Sequence, residues 1–159
     1  MIIMACCLVG VVIYEKYHLR AMFLQNYINF IIYLKNEINY SKTQIGSIFE
    51  SYNKSSYLKK YISKLLQNLK TNSLENSWRN AFKGISKEAG VLPEEEKTIA
   101  EFGKQIGIGD LETQINVIEH HVVILETQLK EAFETRKSKG KLPIVLALCF
   151  GLFIAIIFI

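Results

Sequence analysis

The chain has 159 residues, half of them hydrophobic, with 19 Lys and Arg, 15 Asp and Glu, and only 2 prolines, enough for one domain of ordinary size. Every charge lies within residues 15–141, so the first 14 and the last 18 residues carry none. That distribution excludes an ordinary soluble enzyme and an intrinsically disordered chain, which needs low hydrophobicity; a net charge of +4 without an arginine-rich patch also argues against a nucleic-acid reader.

The first uncharged run, residues 1–14, reads as a membrane segment. Fourteen residues reach only about 21 Å at ~1.5 Å per residue, short of a ~30 Å hydrocarbon core. Two readings fit: a short anchor flanked by Glu15, Lys16 and Arg20, or a span whose natural start lies upstream. A signal peptide would need a basic segment first, and none precedes Ile2.

Beyond this run the apolar residues recur at steps of three and four, and strand signals are nearly absent. Leu24, Tyr27, Ile28, Ile31, Leu34 and Ile38 form one face of a helix that continues directly from the first run. Thr43 fits an N-cap for a short helix carrying Ile45, Ile48 and Phe49. Ser55 or Ser56 then caps a helix with Leu58, Tyr61, Ile62, Leu65, Leu66 and Leu69 inward. Ser73 opens a fourth helix that holds Leu74, Trp78, Phe82 and Ile85 and closes at Gly90. Pro93 starts a fifth, with Glu94, Glu95 and Glu96 in the first turn, where the helix dipole favours carboxylates.

Asp110 caps the longest helix. Its series Leu111, Ile115, Ile118, Val122, Leu125, Leu129 and Ala132 alternates steps of four and three, the spacing of a helix-packing seam. The seam suits the Leu24–Ile38 face of the same bundle ahead of a partner helix or a second copy of the chain. The closing run, residues 142–159, is preceded by Arg136, Lys137, Lys139 and Lys141 and spans roughly 27 Å as a helix, enough to cross a bilayer. A small protein has no core wide enough to surround such a segment on every face.

Basic residues flank both runs on their inner sides, which places residues 15–141 in the cytoplasm. The cysteines agree: Cys6, Cys7 and Cys149 are all in the apolar ends, so no disulfide framework exists in the middle. The expected fold class is all-α, a bundle of about six helices flanked by N- and C-terminal transmembrane helices. Its division is 1–14, 15–141 and 142–159.

No catalytic, metal-binding or cofactor-binding constellation is present. Gly103, Gly107 and Gly109 follow a helix and lack the phosphate-loop pattern; helix termination and a tight turn explain them. His120 and His121 are adjacent, point about 100° apart on a helix, and read as ordinary surface or boundary residues. Trp78 reads as core. Charge is more informative: residues 54–87 hold eight basic residues and one acidic, residues 88–134 eleven acidic and three basic. Mutual neutralisation across the bundle is the expectation, ahead of electrostatic docking of cytoplasmic partners or lipid headgroups.

Several motifs resemble one family. Arg20, Leu24, Leu34, then Glu37-Ile38-Asn39-Tyr40 with Thr43 are similar to the R…L…L..EI.Y..T signature of stage III sporulation protein AB. SWRNAF around Trp78 resembles that family's tryptophan motif. Phe102-Gly103, Gly107, Asp110, Gln114 and Ile118 resemble its FG..(L)G..D...Q...I stretch, and the closing run with Gly151 fits too. Gln44 departs from the pattern where the family usually has proline, and the first span is shorter than usual.

The resemblance implies a non-enzymatic platform subunit of the sporulation complex linking mother cell and forespore, akin to the inner-membrane platforms of type II secretion and type IV pilus machines. It implies the outer forespore membrane as the site, with the helical domain in the mother-cell cytoplasm. The implied partners are the cytoplasmic ATPase, stage III sporulation protein AA, the other membrane subunits of the complex, and membrane lipid. The acidic turn Glu94, Glu95, Glu96 with Glu101, Asp110 and Glu112 is the candidate docking surface; Glu37 with Tyr40 is a second one, behind the reading of that pair as part of a structural turn. The competing reading is a membrane-anchored scaffold or regulator that forms a homo-oligomer through the seam of residues 111–132.

Overall fold

The computed structural model describes residues 2–41, 45–52 and 55–139, with side chains at 14–40, 46–52 and 55–138. Among these residues the chain is all-helical, with seven helices. The expected cap Thr43 and the closing run 142–159 lie outside the described residues, as do the side chains of residues 1–13. No helix among the described residues is long and apolar enough to cross a membrane.

No helix breaker follows the first uncharged run, and α1 (Ile2–Ser41) is one continuous helix of 40 residues. Its buried face is wider than the expected stripe. Phe23 and Phe30 join Leu24, Tyr27, Ile28, Ile31, Leu34 and Ile38 in the interior. A helix buries so broad a face when neighbours cover it from several sides. Here α2 (Ile45–Ser51) and α3 (Ser56–Leu69) cover one flank, and α7 (Leu111–Lys139) covers another along much of its length.

The fourth helix is two. α4 (Leu74–Phe82) stops at Lys83 and Gly84, and a single turn, α5 (Ile85–Glu88), follows. Gly84 has φ +87°, a left-handed conformation that costs an L side chain energy and ends the helix in front of it. Ser73 caps α4 as expected, accepting from the Asn76 N–H at 3.4 Å. Ser55 precedes α3 without a capping hydrogen bond and instead donates to Asn26 Oδ1 at 2.7 Å.

α6 (Pro93–Gln105) begins at the proline, and Asp110 caps α7 by accepting from the Thr113 N–H at 2.9 Å. The seam on α7 faces inward within one chain: Ile118 and Leu125 are fully buried, and Leu129 and Ala132 nearly so. The surface on which the dimeric scaffold depends is therefore covered by the chain's own α1. Only the start of the seam, Leu111, is notably exposed.

Two cross-links fix how α1 and α7 run. Lys35 meets Glu119 at 2.6 Å, and Arg136 Nη2 lies 3.5 Å from the Tyr14 hydroxyl. Residue numbers rise along α1 as they fall along α7, so the pair is antiparallel. α6 is antiparallel to α7 too: Gln128 donates to Thr98 at 3.2 Å, and the Phe102 and His121 rings stack at 4.6 Å.

The core centres on Trp78, fully buried, with Phe82 at 5.0 Å and Phe102 at 5.3 Å between ring centroids. Its indole N–H donates to the Ile99 carbonyl at 2.9 Å, so the buried polar atom is satisfied. The ring lies directly on Gly103. A Cβ there would sit 2.5 and 2.7 Å from Trp78 Cγ and Cβ, so only glycine permits this approach. His121 belongs to this core rather than the boundary expected for it, 6 % exposed, while His120 faces out.

Candidate functional site

The two acidic helix starts singled out by the sequence differ completely in space. In α6, Glu95 turns inward. Its carboxylate accepts from Arg20 Nη2 at 2.7 Å and Nε at 3.0 Å, and both side chains are almost fully buried. The same carboxylate accepts from the Leu92 N–H at 2.7 Å, which closes the helix start. Glu95 is thus a structural ion pair and no part of a docking surface. The cause is periodic: Glu95, Ile99, Phe102 and Ile106 share one stripe on α6, and Arg20 lies on the stripe of Leu24, Tyr27 and Ile31.

Glu96 is also engaged. It accepts from the backbone N–H groups of Gly84 at 2.6 Å and Ser86 at 3.0 Å, tying α6 to the start of α5. Partial burial acts to raise its pKa, but the hydrogen bonds from Ser86 and Gly84, with Lys87 nearby, hold it below the ordinary carboxylate value. Glu101 pairs with Lys104 at 3.1 Å one turn along the helix. Of the three glutamates in the turn, only Glu94 is exposed.

The second group is at the other end of the bundle. Antiparallel pairing puts the end of α1 beside the start of α7, so Glu37 and Tyr40 lie level with Asp110 and Glu112. Tyr40 is 84 % exposed, Asp110 and Glu112 face solvent, and Glu37 is half-buried. The Thr113 hydrogen bonds hold the Asp110 carboxyl below its ordinary pKa. Between Asp110 and α6, Gly107 (φ +84°) and Gly109 (φ +88°) form a tight turn that presents Ile108 outward, 65 % exposed. The eight candidates therefore do not form one surface. Glu94, Glu95 and Glu96 lie level with Arg20, about twenty residues of helix, or roughly 30 Å, from Tyr40.

Sequence reasoning missed three features. Arg20 was legible, as a lone charge on an apolar stripe. Ile108 was legible as a large apolar residue between two glycines. The Tyr14–Arg136 contact had no sequence signal, because it depends on the pairing of α1 with α7.

The two charged stretches stay largely at the surface and meet in part, as expected: Lys60 and Lys64 lie beside Glu88, and Lys87 lies near Glu96. Every described basic residue within 59–87 is exposed, and of these Lys60 makes the one described ion pair to the acidic stretch, with Glu88 at 2.6 Å. Glu112, Glu119, Glu126, Glu131 and Glu134 are exposed along α7. No group of three His, Cys, Asp or Glu among the described residues could hold a metal ion. A groove of about 570 Å³ between α1 and α5 is lined by Glu15, Lys16, Leu19, Ser86, Lys87, Glu88 and Gly90, residues of mixed charge.

These features define a class: an all-helical module with a structural, ion-paired interior and two chemically distinct ends. The family follows from comparison with known proteins. The family model described as stage III sporulation protein AB matches residues 1–159, the whole chain, and the chain belongs to that family. No curated protein and no solved structure matches it. It is a stage III sporulation protein, in whose core Trp78 lies on Gly103.

Proposed function

We propose that this chain is a non-enzymatic membrane platform subunit of the sporulation channel linking mother cell and forespore. In this reading both uncharged runs are transmembrane helices in the outer forespore membrane, and the helical domain hangs in the mother-cell cytoplasm. The observation that carries it is the contact between Tyr14 and Arg136, 122 residues apart. It brings the inner borders of the two uncharged runs to the same end of the bundle, as two anchors in one bilayer require.

The opposite end is then the one presented to the cytoplasm. Its Ile108 tip, Tyr40, Asp110 and Glu112 offer an apolar knob among carboxylates, suited to a basic partner surface with a small apolar recess. The partner is the cytoplasmic ATPase, stage III sporulation protein AA, with the other membrane subunits of the complex meeting the anchors. Binding of the purified ATPase to full-length chain in nanodiscs tests this. Ile108→Ser with Glu112→Lys should weaken affinity at least about tenfold, the usual effect of losing a central apolar anchor and a charge. Asp110→Asn would keep the α7 cap while removing the charge. Unchanged affinity in variants with a native circular dichroism spectrum would refute docking at this end.

A further inference from the structure

The end of the bundle where Tyr14 meets Arg136 carries a groove of about 360 Å³, lined by Tyr14 of α1 and Phe133, Arg136 and Lys137 of α7. We infer that this groove binds the phosphate headgroup of an anionic phospholipid. The inference rests on the reading that the two runs are membrane anchors.

Phe133, Arg136 and Lys137 stand at i, i+3 and i+4 and therefore share one face of α7. The Arg136 guanidinium is held over the Tyr14 ring, 5.9 Å from its centroid, with Nη2 3.5 Å from the hydroxyl. This contact orients the guanidinium while leaving most of its five N–H donors uncommitted. Among the described residues no carboxylate pairs with Arg136 or Lys137: the described ion pairs join Arg20, Lys35, Lys60 and Lys104 to their partners. The nearest acidic neighbours in sequence are Glu15, which lines the separate groove beside Lys16 and Leu19, and Glu134, exposed beside Phe133.

Two uncommitted cations beside one another, one a planar fork, match a phosphodiester. A lipid is favoured over a free anion by what surrounds them. Tyr14 is the last residue of the first uncharged run, so the groove opens at the level where hydrocarbon gives way to headgroups, a layer about 5–8 Å deep. Phe133 is 45 % exposed beside the cations. A large apolar face next to a cation pair suits the boundary between glycerol and phosphate.

The test uses the full chain. Alkaline carbonate washing of membranes first asks whether the chain is embedded. Native mass spectrometry of the detergent-purified protein, equilibrated with phosphatidylglycerol or phosphatidylcholine, then measures retained lipid. Wild type should retain phosphatidylglycerol preferentially. Arg136→Gln with Lys137→Gln should lose that preference on the order of twentyfold, as expected for two charges near an anionic surface. Lys137→Gln alone should lose part of it, and Lys59→Gln with Lys64→Gln, two exposed positions on α3, should keep it. Equal loss in the α3 control would mean diffuse attraction and overturn the site. Displacement of the lipid by millimolar inorganic phosphate would assign the groove to a free anion and overturn the lipid. An embedded chain without lipid preference overturns this inference alone, whereas release by carbonate overturns the anchoring reading and this inference with it.

Discussion

α6 and α7 open alike in sequence, with carboxylates at or beside the first turn after a turn segment, yet one start is interior and the other is surface. At α6, Glu95 is buried against Arg20 and Glu96 is spent on the backbone of α5. At α7, Asp110 caps its helix and still faces water with Glu112. The helix dipole favours acids at both places and cannot tell them apart. What separates them is the stripe: an acid in phase with the core residues is drawn in and requires a cation, while one out of phase stays available to a partner.

The sharpest way to break this contrast lies within a single turn. Glu95→Gln should destabilise the full chain in detergent by about 3–5 kcal/mol, because it leaves Arg20 buried without its counter-charge. Glu94→Lys, one residue earlier and exposed, should stay within about 0.5 kcal/mol. Arg20→Met with Glu95→Leu should recover much of the loss, since an apolar pair of similar volume is often as stable as a buried ion pair. Equal effects of Glu94 and Glu95 substitutions in chemical denaturation would undo the distinction.

A second measurement reads the interior through pH. Desolvation, with His120 nearby, pushes the His121 pKa from 6.5 down to about 4. The unfolded chain takes up this proton below about pH 6.5 and the folded chain only near pH 4. Stability is therefore fully present above pH 6.5 and falls as the pH drops between those values, by as much as ~3 kcal/mol at ~1.4 kcal/mol per unit. His121→Phe should flatten that part of the denaturation-midpoint profile, and a slope unchanged by the substitution would remove His121 as its source.

The smallest effect compares two glycines. Gly103→Ala should cost about 1–3 kcal/mol, because the methyl group overlaps the Trp78 side chain. Gly46 in α2 has open space where a methyl group would go, with nothing within 4 Å. Gly46→Ala should be neutral or stabilise by up to about 1 kcal/mol through helix propensity. Thermal unfolding of both variants decides whether contact with Trp78 or helix propensity governs these sites.

Much of the fold was legible because helix signals are local. The stripe on α1, Ser73 and Asp110 as caps, Pro93 as a start and the inward seam of α7 all follow from spacing and cap chemistry. The break at Gly84 was not, since a glycine inside an apolar period also occurs in intact helices. The candidate site was legible only in pieces. Asp110, Glu112 and Tyr40 are exposed, but Glu95 was read by its charge when its phase with Ile99 and Phe102 decided its place. The arrangement of the two ends depends on antiparallel pairing over more than a hundred residues, which no local pattern encodes.

The continuity of α1 has a mechanical consequence. The helix carries Tyr14 about a third of the way along and Tyr40 near its end, with no break between them. Over that distance a helix is a stiff strut of about 40 Å, and α7 braces it alongside. On the proposed function, a push or twist delivered at Tyr40 would meet no joint in α1 before Tyr14. Load and foundation would then share one piece of backbone.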